Sequence, residues 1–160
     1  MRGWRTLAPF RVARRAAAEA STELGQSYFE GAGETLARME QSLDLRALAA
    51  DVDAGAVRFR LAGRLGTRGR SQASIECALE LVGENGKTLE RAVLGPAGQS
   101  ERREKLGAEK GVPQGGLMEL SAEGRVPRRT RSARVVLSAS GPSGVALAMA
   151  DELELVLERD

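Results

Sequence analysis

What this chain lacks restricts its chemistry first. It contains no histidine and a single cysteine, Cys77. A serine–histidine–aspartate relay therefore has no base. A zinc site has too few nitrogen and sulfur ligands, and an intrachain disulfide has no second thiol. What remains is carboxylate and guanidinium chemistry, carried by 17 Glu and 5 Asp against 21 Arg and 3 Lys. A pair of carboxylates can flank a glycosidic bond, but most of these glutamates stand at outward positions of alternating runs or in the polar stretch 98–114, as solvated faces do. The glycine-containing stretches match neither a phosphate-binding loop nor a dinucleotide fingerprint. The expected protein is not an enzyme.

Among the acids, Asp151 stands apart. It shares the Met149/Leu153 side of an alternating run, so a period of two points it inward, where a carboxylate must be paired or coordinated. The plain reading is a hydrogen bond to loop N–H groups or a salt bridge to an arginine. Among the bases, Arg125, Arg128, Arg129, Arg131 and Arg134 form the densest cluster. With Glu119 and Glu123 beside them, they read most simply as a solvated turn and strand face. The sharper reading is a patch for acidic glycans, to which Arg64, Arg68 and Arg70 contribute, because the planar guanidinium fork binds carboxylate and sulfate bidentately. Tyr28 and Trp4 are the aromatic residues placed to offer a sugar a stacking surface. Cys77 falls on the apolar side of its run and reads as a small core residue, not a reactive thiol.

Charge distribution narrows the partners. The sequence pI is about 9.1, yet residues 1–20 hold five arginines against Glu19 alone, a net of +4, which leaves the rest of the chain at −2. A domain of that balance has no bulk attraction for phosphate, so nucleic acid is not an expected partner. The excess of Arg over Lys reads as codon bias in a GC-rich genome. No apolar run approaches the roughly 20 residues of a membrane-spanning helix, and Arg11, Arg14 and Arg15 interrupt any secretory h-region in the chain as given.

The elements that must position these residues are mostly strands. A basic segment, 1–24, precedes a domain over 25–160. Within that segment Phe10–Ala13 alternates as a strand, while Ala-rich Arg11–Leu24 competes as a helix; the strand followed by a loop is favoured. Tyr28–Gly33 reads as a glycine-rich loop. Arg38–Leu45 alternates, with Met39, Gln41, Leu43 and Leu45 on one face. Arg46–Ala50 suits a helical turn. Val57–Leu61 is the next strand, Gly63–Arg70 a glycine-punctuated loop, and Ile75, Cys77, Leu79 and Leu81 share the buried face of another strand. Asn85-Gly86 between two alternating runs is a strong hairpin signal, with Thr88–Leu94 as the return strand. Residues 98–114 form a polar insertion in which Ser100 could cap a short helix. Alternation resumes at Leu117 and runs to the end. About eight closely spaced strands with turn chemistry between them imply an all-β sandwich or barrel.

The order of pieces resembles bacterial galactose-binding-like jelly-roll modules of the carbohydrate-binding type. The resemblance is carried by Gly25 to Gly33, Gln41 to Leu45, Asp53 to Gly63, the Asn85-Gly86 hairpin, Gly124 to Pro127, Thr130 to Val135 and Ala150 to Leu155. It implies an antiparallel jelly-roll β-sandwich and a non-catalytic module that binds a glycan or adheres at a cell surface. In that context Tyr28, Arg64, Arg68 and Arg70 are the ligand-binding candidates. A carboxylate on the closing strand, here Asp151, would hold a structural Ca²⁺ together with backbone carbonyls. The resemblance also implies an extracellular or cell-surface location. Two departures stand out. Such modules begin with a strand that precedes a Gly-Trp, whereas this chain opens on Arg2-Gly3-Trp4, so Trp4 is either a core residue or part of a disordered tail. The loops are also poor in the Asp, Asn and aromatic residues that suit sugars. That favours the alternative of a structural or protein-interaction module that has lost the sugar site.

Overall fold

Alternation of apolar and polar residues, repeated along the chain, folds into two antiparallel sheets whose apolar sides face each other. The computed structural model describes residues 3–8, 10–14, 27–31, 36–68, 72–98, 115–141 and 148–160. Ten strands occur among them: β1 (Arg5–Ala8), β2 (Phe10–Arg14), β3 (Ser27–Gly31), β4 (Leu36–Asp44), β5 (Val57–Arg68), β6 (Ser74–Gly83), β7 (Thr88–Ala97), β8 (Gly115–Arg125), β9 (Thr130–Ser140) and β10 (Ala148–Arg159). The first sheet has the order β1-β4-β9-β6-β7 and the second the order β2-β3-β10-β5-β8. This is an antiparallel jelly-roll β-sandwich, a sandwich as the strand pattern allowed and a jelly-roll as the resemblance implied. No helix among the described residues is long and apolar enough to cross a membrane.

The core lies between the sheets. In the first sheet Met39, Leu137 and Cys77 stand in one register row on neighbouring strands, and all three are fully buried. In the second, Phe59, Leu61 and Leu65 of β5 face them, with Leu155 and Leu157 of β10 beside them. Cys77 is a core residue here. Burial pushes its thiol up to about 12, so it is neither a nucleophile nor a ligand at neutral pH.

Several expectations hold in detail. Asn85-Gly86 makes the β6–β7 turn, with Gly83 N–H donating to Lys87 O and Gly86 N–H donating to Gly83 O. Gly86 takes the left-handed conformation that favours glycine there (φ 77°). The helical turn after β4 is a 3₁₀ turn, Arg46–Leu48, running into α1 (Ala49–Ala54). Phe10–Ala13 is indeed a strand, and the rival helix over 11–24 falls largely outside the described residues. The polar insertion after Gly98 and its Ser100 cap lie outside them too.

Two expected loops are strands instead. Tyr28–Gly31 belongs to β3, paired on both sides, because its alternation continues once Phe29 turns into the core. Gly63–Arg68 completes the twelve residues of β5, hydrogen-bonded to β10 and β8 along its length. Its glycines serve packing, not turning. A Cβ at Gly63 would sit 2.6 Å from Leu153 Cδ2, so the backbone approaches a neighbour that a larger residue would displace. Residues 5–14, within the segment expected to precede the domain, supply an edge strand to each sheet. Trp4 packs against the core, its ring tilted 57° to that of Phe29 with centroids 5.6 Å apart.

Candidate binding face on the second sheet

Polar residues on the outside of a sheet are ordinarily solvated. The second sheet departs from this. Register pairs Glu30 with Arg11 on one side and with Met149 on the other, and pairs Asp151 with Arg64. These residues, with Tyr28 two positions before Glu30, lie on the face turned away from the core. Glu30 is nevertheless 2% exposed, Tyr28 5% and Asp151 8%. On this outer face two carboxylates and a phenol are thus held away from bulk water.

Each buried acid has its charge met. Arg11 Nε donates to Glu30 Oε2 at 2.7 Å, its guanidinium reaching in from the edge strand. Asp151 Oδ1 accepts the N–H of Glu152 at 2.9 Å. The inward direction expected for Asp151 is corrected by a β-bulge: the β10–β5 register shifts between Asp151 and Glu154. Glu152 takes a left-handed conformation within it (φ 49°). The extra residue resets the alternation, so Leu153 stays with the core while Asp151 joins the outer face beside Arg64.

Beside the bulge the face hollows into a depression of about 470 Å³, lined by Arg60, Ala62, Gly63, Arg64, Glu119, Glu152, Leu153 and Glu154. That volume is within the roughly 300–1,000 Å³ of small-ligand sites. Ala62 and Gly63 give it a small, flat floor. Its flanks are ion pairs, Arg60 Nη2 to Glu154 Oε2 at 2.9 Å and Arg64 Nε to Glu152 Oε2 at 3.0 Å. The bulge thus brings together a low floor, planar donors and planar acceptors on one surface.

Of the residues singled out from sequence, Tyr28, Arg64 and Asp151 lie on this one face. Arg68 closes β5 opposite Gly115, and Arg70 is outside the described residues. Glu30, Arg11, Glu119 and Glu152 were not singled out; their signal lies in strand register, which no single strand contains. Tyr28 is buried, so its ring offers no open stacking surface. Among the described residues no group of three or more His, Cys, Asp or Glu side chains could hold a metal ion. A Ca²⁺ at Asp151 would therefore take most of its oxygens from backbone carbonyls or water. The arginine cluster of the last third divides: Arg125 bonds Gly55 O and Asp160, and Arg134 bonds Glu80, while Arg131, bonded to Asp53, lines one depression with Arg128 and Arg129.

Among solved structures the fold is shared with carbohydrate-binding modules and with enzymes or enzyme domains. The family 61 carbohydrate-binding module TmCBM61, in complex with β-1,4-galactotriose, is 14% identical with a TM-score of 0.52, matched over 99% of this chain and 90% of that one. The CBM22-1 xylan-binding domain of Paenibacillus barcinonensis Xyn10C is 16% identical with a TM-score of 0.53, over 99% and 87%. The enzymatically active domain of tailspike protein 4 of bacteriophage CBA120 is 10% identical with a TM-score of 0.60; the match covers 98% of this chain but only 20% of that one. At these identities the likeness is one of fold. No protein-family profile matches the chain, and no curated protein matches its sequence.

Proposed function

We propose that this chain is a non-catalytic glycan-binding module that holds a neutral sugar chain across the outer face of its second sheet. The observation that carries the reading is the depression beside the bulge, where Arg60, Arg64, Glu119, Glu152 and Glu154 surround Ala62 and Gly63. Planar carboxylates and guanidiniums suit the paired hydroxyls of a pyranose. The Ala62–Gly63 floor lets the C–H face of a ring approach the backbone. The TmCBM61 and CBM22-1 folds, which carry galactotriose and xylan-binding names, support a sugar ligand. Such a module would work at or beyond the cell surface, where polysaccharides are.

Isothermal titration against neutral galactan and xylan oligosaccharides tests this. Arg64→Ala removes a flank of the depression and a partner of Glu152, so a loss of about tenfold or more in affinity is expected, as for a charge-assisted hydrogen bond. The variant should keep the wild-type melting temperature within a few degrees. A folded wild type that binds no neutral oligosaccharide would instead favour a protein-interaction module. The mutual pairing of Arg60–Glu154 and Arg64–Glu152 is the feature consistent with that second reading.

A further inference from the structure

At one end of the sandwich the turn joining β8 to β9 is held by a set of hydrogen bonds. Val126 N–H donates to Val57 O at 2.9 Å, and Thr130, fully buried, donates through Oγ1 to Pro127 O at 2.7 Å. Asp53, from α1, fixes the turn from outside. It accepts Arg129 N–H at 2.8 Å and a two-pronged contact from Arg131, at 3.0 and 2.7 Å. In this clamp the Arg131 hydrogen bond, followed by that of the Arg129 backbone, holds the Asp53 carboxyl below its ordinary range.

The clamp secures Arg129 in a left-handed backbone conformation, φ 67°, which a non-glycine residue adopts only at a cost. Strain of this kind persists where surrounding contacts impose it, and here they aim two side chains outward. Arg125, Arg131 and Arg134 are each engaged by an acid, whereas the guanidiniums of Arg128 and Arg129 have no acceptor among the described residues. Both line a depression of about 670 Å³ with Asp53, Gly83, Glu84, Asn85, Leu89 and Arg131. Asn85 Oδ1 is occupied by Lys87 N–H at 3.0 Å, which leaves the amide as a donor. Leu89, 40% exposed, supplies an apolar wall from the β6–β7 hairpin.

We infer that this end depression binds a uronate residue of an acidic polysaccharide, its carboxylate held by Arg128 and Arg129. Three guanidiniums face two carboxylates there, a net of one positive charge, which matches a monoanionic carboxylate better than a dianionic phosphate. The planar fork accepts a carboxylate bidentately. Leu89 can face the ring's C–H groups, and Glu84 and the Asn85 amide supply an acceptor and a donor for hydroxyls. The saccharide class rests on the glycan-binding reading, but this site uses none of the residues of the sheet face.

The test is titration of the whole chain with oligogalacturonate at low and high salt, beside carboxyl-reduced oligogalacturonate and poly-glutamate. Arg128→Ala and Arg129→Gly are the variants; glycine suits φ 67° and leaves the turn intact, so loss of folding does not confound the second. Oligogalacturonate should bind, weaken with salt, and lose about tenfold or more in affinity in each variant, while the reduced sugar and poly-glutamate should not compete. No oligogalacturonate binding, equal binding of the reduced sugar, equal binding of poly-glutamate, or unchanged affinity in both variants would each overturn the assignment. Neutral-sugar binding and its loss in Arg64→Ala are read in the same titrations, so failure at the end site and failure at the sheet face are separable.

Discussion

The outer faces of the two sheets use the same residue types and arrive at opposite results. On the first sheet Arg134 pairs with Glu80 at 2.6 Å, Arg91 with Glu76 at 3.0 Å and Arg5 with Glu40 at 3.9 Å, and the residues buried among them are Ala78 and Val136. Long charged side chains there lie over small apolar ones, with the Glu40 and Glu80 side chains partly covered and the Arg38 Nε buried without a partner among the described residues. On the second sheet it is the carboxylates of Glu30 and Asp151 that are buried. Register explains the first face: Arg134 stands directly opposite Glu80, and Arg5 opposite Glu40. On the second, Glu30 stands opposite Arg11, and the bulge after Asp151 turns that carboxylate to the outer face. The contrast shows that composition does not tell which carboxylates a face buries; strand register does.

The widest perturbation should remove both faces together. Leu137, at 0% exposure, lies in the core under the middle of the first sheet. Leu137→Ala should lower stability by about 2–5 kcal/mol in urea denaturation. If sugar binding survived that loss in a variant largely unfolded at the assay temperature, the face would not depend on the sandwich. A sharper cut compares one arginine from each face. Arg11→Ala leaves Glu30 buried without its guanidinium and should cost about 1–3 kcal/mol, whereas Arg91→Ala on the solvated face should cost less than about 1 kcal/mol. Equal costs would erase the distinction drawn here.

A further prediction concerns the first sheet alone. Cys77, beneath its ladder, has its thiol raised from 9.0 to about 12 by burial and, secondarily, by the charge of Glu76. A folded-state value above the unfolded one gives stability that is fully present below about 9 and is lost as pH rises towards about 12. Alkaline melting curves of wild type and Cys77→Ala should therefore converge as pH rises through that window. Ellman's reagent at pH 8 should label the wild-type thiol only as fast as the sandwich opens.

Much of this was legible in the sequence because it is local. Met39, Gln41 and Leu43, or Ile75, Cys77 and Leu79, state their own burial by a period of two, and Asn85-Gly86 states its own turn. Two glycine-rich strings misled for a physical reason: Gly63 has no side chain because Leu153 occupies that space, a fact of the neighbouring strand. The site was legible only in fragments. Tyr28, Arg64 and Asp151 were conspicuous by type, and the structure places all three on one face. Glu30 and Arg11 meet only through the register of β2 with β3, nineteen residues apart in the chain. The direction of Asp151 depended on a bulge that strict alternation hides, since nothing in Ala150–Leu155 announces where the extra residue goes.

That bulge has a further consequence for how such a chain can change. It acts as a reading-frame shift in β10: every residue before it projects to the side opposite that assigned by counting back from Leu155. Deleting Glu152 would leave Leu153 alone opposite Gly63, so the strand would straighten with Asp151 and Met149 still on the outer face and Ala148, Ala150 and Leu153 still in the core. A single-codon loss at that position would therefore remove Arg64's partner and one flank of the depression while leaving both faces of the strand otherwise as they are.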